Sequence, residues 1–121
     1  MTDDLLKALL DADKKPEKDV PLKRFGTFRI RALDDQEIEE SQERATFGKT
    51  VDQTKKALIM IQKATIEPDW SHPDLLAKYE TQDPVKVVEK TLLPGERIKL
   101  VSEILDLSGY DIGTAVDQVK N

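Results

Sequence analysis

Residues 22–31, Leu22-Lys23-Arg24-Phe25-Gly26-Thr27-Phe28-Arg29-Ile30-Arg31, decide whether this chain is helix throughout or carries a strand. Phe28 and Ile30 fall on one side of an extended backbone and Arg29 and Arg31 on the other, the alternation of a half-buried strand. Phe25 breaks that phase, and Gly26 beside it marks a bulge or bend. A lone strand cannot satisfy its own backbone, so this segment needs a partner strand from its own chain or from a second copy. A short strand or extended arm near residues 24–31 is therefore expected.

Upstream, residues 13–21 (DKKPEKDVP) read as a polar connector, because Pro16 and Pro21 exclude a continuous helix. Before it, Leu5, Leu6, Leu9 and Leu10, with Ala8 and Ala12, form one apolar stripe at helical spacing over residues 3–12. So short a helix is marginal alone and must dock on its own core, a second copy or a partner. Residues 1–21 are expected as an N-terminal helix and linker, and residues 22–121 as a helical domain.

Downstream the pattern is helical. Asp34 with Glu37 three residues on is an Asp form of the capping box, and opens a charged helix over about 35–46 that Gly48 ends. Six acidic residues lie between Asp34 and Glu43, a solvated face or a contact surface for a basic partner. Residues 51–66 (VDQTKKALIMIQKATI) are apolar nearly all round: Val51, Leu58, Ile61, Ala64 and Thr65 form one stripe that Ile59, Met60 and Ile66 widen. Such a helix belongs at the centre of a bundle, and Pro68 ends it. Prolines at first helical positions open helices over 73–80 and 84–92. A further helix is expected over 96–107, stopped by Ser108-Gly109, and a last one from Asp111 bearing Ile112, Ala115, Val116 and Val119. The expected fold is mainly α: a compact bundle of about five helices, a short strand or arm, and a tethered N-terminal helix.

Composition narrows the function. Of 121 residues, 38% are apolar and 36% charged, which marks a single soluble domain with a highly charged surface. The absence of cysteine excludes disulfide scaffolds, zinc ribbons, iron–sulfur sites and thiol nucleophiles. The lone His72 excludes histidine metal cages. No apolar run approaches the roughly 20 residues that span a bilayer, and the acidic start at Asp3 and Asp4 is unlike a signal peptide. A cytoplasmic protein without membrane contact is expected.

A net charge of −5 opposes general nucleic-acid binding. The charge is uneven, because Lys14, Lys15, Lys18, Lys23, Arg24, Arg29 and Arg31 crowd into residues 13–31 against three acids. With Phe25 and Phe28 interleaved, this stretch is either a solvated connector leading into a strand or a docking arm for a protein.

No phosphate loop, nucleophile elbow or zinc-protease motif is present. Asp69, His72 and Asp74 match no metal cage; His72 fits a surface or capping role and Trp70 an anchor that closes the bundle. Carboxylates such as Glu39 and Glu43 lie on a helix with no cleft to separate their pKa values, so no enzyme and no cofactor is expected. The candidate partner-binding residues are Leu5, Leu6, Leu9, Leu10, Phe25, Phe28 and Ile30.

Several segments together carry a family pattern. They are Arg29-Ile30-Arg31-Ala32-Leu33 followed by the acidic run from Asp34 to Glu40; Ala64-Thr65-Ile66-Glu67-Pro68-Asp69 with Pro73-Asp74-Leu75-Leu76-Ala77-Lys78-Tyr79; Leu92-Leu93-Pro94-Gly95-Glu96; Ile104-Leu105-Asp106-Leu107-Ser108-Gly109-Tyr110; and the ending Val119-Lys120-Asn121. Over residues 28–121 the chain resembles the XkdN-like tail assembly chaperones of long-tailed phages and PBSX-type prophages. The resemblance implies a non-catalytic protein that binds the tape measure protein, keeps it soluble and helps recruit tail tube protein. It implies action in the cytoplasm of the bacterial host and absence from the mature virion. It also leads one to expect glycine after Tyr79, where this chain has Glu80. Possible self-association into oligomers would let such a protein coat a long client. The competing reading is a generic acidic helical adaptor or regulator.

Overall fold

The computed structural model describes residues 2–12 and 15–110. Among them six helices are joined by two small antiparallel sheets: α1 (Thr2–Asp11), β1 (Glu17–Leu22), β2 (Gly26–Arg31), α2 (Asp35–Arg44), β3 (Thr46–Phe47), β4 (Thr50–Val51), α3 (Gln53–Ala64), β5 (Thr65–Glu67), α4 (Pro73–Lys78), α5 (Pro84–Thr91) and α6 (Pro94–Leu107). The fold is α+β, which corrects the mainly α bundle of about five helices expected from the sequence. The last helix, expected from Asp111, lies outside the described residues.

The correction begins at residues 17–21, read as connector and found, with Leu22, as a strand. β1 and β2 form a hairpin in which Val20 pairs with Phe28 and Leu22 with Gly26, and β5 lies on the other side of β2. Val20 and Leu22 point inward with Phe28 and Ile30, while Asp19 and Pro21 face out. Proline is tolerated because β1 is an edge strand. The Pro21 carbonyl accepts from Lys99 Nζ at 2.8 Å, so the backbone at that residue turns away from β2 and no ladder donor is lost. Gly26, at φ +107°, lets the chain turn after Lys23, Arg24 and Phe25, and Phe25 is out of phase because it lies in that turn.

Two helix ends also differ from expectation. α3 stops at Ala64, and Thr65–Glu67 pairs with β2 instead of continuing the helix; β-branched Thr65 and Ile66 before Pro68 suit an extended backbone. Likewise α2 stops at Arg44, and Gly48, at φ +62°, sits in the turn between β3 and β4.

The core forms where the inner face of the hairpin meets the helices. Ile59, Ile61, Leu100, Ile104, Val87 and Val88 are fully enclosed. α3 packs against α2, α5 and α6, and α6 also reaches β1 and β2, so α3 is central as its sequence implies. Ser108 ties α6 to the sheet side, its Oγ accepting from Leu33 N at 2.9 Å and donating to the Ile104 carbonyl at 2.6 Å.

The capping box is present and strengthened from the sheet. Asp34 Oδ1 accepts from Glu37 N at 2.9 Å, and Glu37 Oε1 accepts from Asp34 N at 3.2 Å. Arg31 grips the same carboxylate with two bonds of 3.0 and 2.7 Å. The Arg31 guanidinium first, and then the Asp34 N–H, lower the Glu37 carboxyl from 4.5 to about 2 against the opposing effect of burial. A folded value below the unfolded one stabilises fully above the unfolded pKa and is lost as pH falls from 4.5 towards 2. At neutral pH the contribution is on the order of 3 kcal/mol. Glu37→Gln should lower the urea midpoint at pH 7 and change it little at pH 2, flattening the acid limb of the stability profile.

Glu80 is at φ +52°, a left-handed position at the end of α4. Thr81 N donates to the Leu76 carbonyl at 3.1 Å and Glu80 N to the Ala77 carbonyl at 3.2 Å, the hydrogen bonds of a Schellman cap. The turn thus keeps glycine geometry with a glutamate in it. Relief of the left-handed strain, about 1–2 kcal/mol, outweighs the entropy cost of glycine, so Glu80→Gly should stabilise by roughly 0.5–1 kcal/mol in urea unfolding.

Candidate functional site

The expected partner-binding residues separate into two groups. Leu5, Leu6, Leu9 and Leu10 on α1 are 53–75% exposed, one stripe facing solvent. Phe28 and Ile30 are buried in the core, Ile30 completely, where they hold the sheet to the helices, and Phe28 also borders the cleft beside Phe25. Phe25 is between these extremes, 46% exposed at the tip of the hairpin.

Phe25 leads to a surface that the sequence did not mark. It lies 6.2 Å from Phe28, whose ring lies 5.8 Å from Trp70, and this aromatic row borders a cleft of about 700 Å3. Pro68, Leu75 and Tyr79 complete its apolar lining, while Lys78 and Lys90 bring positive charge to it and Glu67 a negative one. Arg24 also lines it, but is committed: its guanidinium stacks 4.4 Å over Phe25 and bonds Glu96 at 2.6 and 2.9 Å and the Thr91 carbonyl at 3.0 Å. Arg24, and then the Leu93 N–H, hold the Glu96 carboxyl at about 2. Trp70 is 3% exposed, the closing anchor its sequence position suggested, and its indole N–H has no hydrogen-bond partner. These residues come from the hairpin turn, β5, the loop after it, α4 and α5, a set too scattered in sequence to form a motif.

The other polar candidates have structural duties. Asp69 Oδ1 accepts from Ser71 N at 2.9 Å, and His72 Nδ1 caps α4 by accepting from Asp74 N at 3.1 Å. Among the described residues no cluster of His, Cys, Asp and Glu could hold a metal ion. On α2, Glu37 is held by Arg31 and Glu40 by Lys63 at 2.8 Å, while Asp35, Glu39 and Glu43 remain solvated. No helix among the described residues is long and apolar enough to cross a membrane.

The basic stretch is largely neutralised inside the fold. Lys18 meets Glu103 at 2.6 Å, Arg24 meets Glu96, Arg29 bridges Glu17 and Asp19 at 3.0 and 2.8 Å, Arg31 takes Glu37, and Lys15 approaches Glu37 at 3.4 Å. Cations engaged in this way are poorly placed to neutralise phosphates.

The comparisons with known proteins bear on this arrangement. The sequence model of the phage XkdN-like tail assembly chaperone protein family matches residues 6–120. The chain belongs to this family of tail assembly chaperones. The match begins at Leu6, within the leucine stripe, and so takes in the hairpin and most of α1 as well as the region from residue 28 that carried the resemblance. A search of curated proteins gives no match. The crystal structure of the protein YqbN is similar, with a TM-score of 0.68 and 24% identity over 83% of this chain and 90% of that one, a likeness of fold.

As a tail assembly chaperone with a neutralised basic hairpin, the protein should not be retained by DNA. Fluorescence anisotropy with a random duplex at physiological salt should show no binding tighter than about 100 μM, the weak edge of ordinary non-specific association.

Proposed function

We propose that this tail assembly chaperone acts by binding alone: it holds the tape measure protein in solution and helps bring tail tube subunits to it. The observation that carries this reading is the exposed leucine stripe of α1 on an otherwise highly charged protein. A long client rich in apolar helix needs apolar surface that can be offered and withdrawn, and an exposed amphipathic helix offers it by helix-in-groove packing. The chain's net charge of −5 keeps such a complex dispersed. The site of action in this reading is the cytoplasm of the bacterial host, and the protein is left out of the finished virion. The family membership supports the role in tail assembly; the identity of the client and the use of α1 are the parts proposed.

Co-expression with the tape measure protein of the same phage tests it. The client should become soluble and co-purify with the chain. Leu5→Ser with Leu9→Ser should lower the recovered client at least severalfold while leaving the chaperone's own unfolding midpoint within about 0.5 kcal/mol, because both side chains are exposed. A client that stays insoluble with the intact chain, or that co-purifies equally with the doubly substituted one, would overturn the reading.

A further inference from the structure

We propose that residues 111–121 fold back as an amphipathic helix into the apolar groove between α3 and α6 of their own chain and cover its floor. The inference goes beyond the chaperone reading and does not depend on the identity of the client.

The groove is built from described residues. Two depressions of about 340 and 400 Å3 run into one another along α3 and α6, sharing Gln53, Ala57 and Val101. Ile38, Met60 and Leu105 line one end. Ile98, 68% exposed, lines the other. Val101 and Leu105 pack on the core from the groove floor, yet neither is fully enclosed. α3 and α6 run in the same direction at this face, since Thr54 shares one end with Ile98 and Met60 the other with Leu105. An apolar valley between two helices is a seat for the ridge of a third.

Continuity names the occupant. α6 ends in a Schellman cap: Tyr110 N donates to the Leu105 carbonyl at 3.0 Å and Gly109 N to the Asp106 carbonyl at 3.1 Å, with Gly109 at φ +98°. The cap turns the chain off the α6 axis, and Tyr110 itself lines the groove beside Leu105. Asp111 therefore starts at the mouth of the groove. Beyond it Ile112, Ala115, Val116 and Val119 have the i, i+3, i+4, i+7 spacing of one helix face. As helix, residues 111–121 measure about 16 Å, and the step along α6 from Leu105 back to Ile98 is roughly 10 Å. The segment is thus long enough to run antiparallel to α6 and lay Val119 over Ile98.

Charge agrees with this placement. Lys56 lines the Tyr110 end of the groove, where Asp111 would arrive, and its own bond is to a neutral group, Gln42 Oε1 at 3.1 Å. Asp117 falls on the opposite side of the helix from Ile112 and Val119, so docking buries no carboxylate.

The test is hydrogen exchange on the full-length chain, followed by trapping. The amides of residues 113–119 should exchange at least tenfold more slowly than in a free peptide of residues 111–121. Ile98→Asp puts a carboxylate into the groove at a position exposed enough to leave the body folded, and should return those amides to the peptide rate. The chain has no cysteine, so Ala57→Cys with Ala115→Cys introduces a single thiol pair. On mild oxidation in dilute solution the pair should close within one chain. Val116→Asp added to that chain should slow closure severalfold, an effect that chance collisions of an undocked segment would not show. Exchange at the peptide rate in the unmodified chain, protection that survives Ile98→Asp, closure that Val116→Asp leaves unchanged, or a disulfide that forms only between chains would each overturn the proposal. No client is present, so failure here leaves the client reading standing, and failure of client rescue leaves this contact standing.

Discussion

The inner face of the β1–β2 hairpin is the surface on which the rest of the structure depends. Val20, Leu22, Phe28 and Ile30 together present one apolar patch, and neither strand alone could. Two strands are marginal in water, so the patch must be covered, and α6 covers it while packing on α3. β5 then closes the open side of β2. The outer face of the hairpin is held by charge instead, with Arg29 spanning Glu17 and Asp19 across the strands. Arg31 links the hairpin to the first turn of α2, so the sheet fixes where that helix starts. Removing the hairpin would therefore uncover the core and release α2 and α6 together.

This dependence also explains what the sequence left hidden. The helices were legible because each carries local signals: Asp34, Asp52 and Asp83 at N-caps, prolines at first positions, and Gly109 at φ +98° ending α6. β1 has no local signal. Its six residues, EKDVPL, bury only Val20 and Leu22, and charged residues and a proline between them imitate a linker. The partner that makes Lys18 and Asp19 into strand residues lies across the turn, and Pro21 is acceptable only because the strand is at an edge. Thr65–Glu67 was lost for the opposite reason: it continues an apolar helical run without interruption, and only β2 separates the two. Of the candidate contact residues, the α1 leucines, whose spacing left core, second copy and partner all open, face solvent, whereas alternation alone could not show that Phe28 and Ile30 face inward. The cleft was illegible because Phe25, Trp70 and Tyr79 meet only after the hairpin, β5 and α4 are assembled.

The surface balances two demands. A protein that offers leucines to solvent risks aggregation, and this chain surrounds its apolar stripe with charge. Much of that charge is committed within the fold: Lys18 to Glu103, Arg24 to Glu96 and Lys63 to Glu40. These pairs are partly exposed, and pairs of that kind contribute little stability individually. Their consequence is chiefly negative. The pairs of Lys18 and Arg24 occupy cations of an otherwise basic hairpin and so lower the positive charge that the hairpin can offer to phosphates.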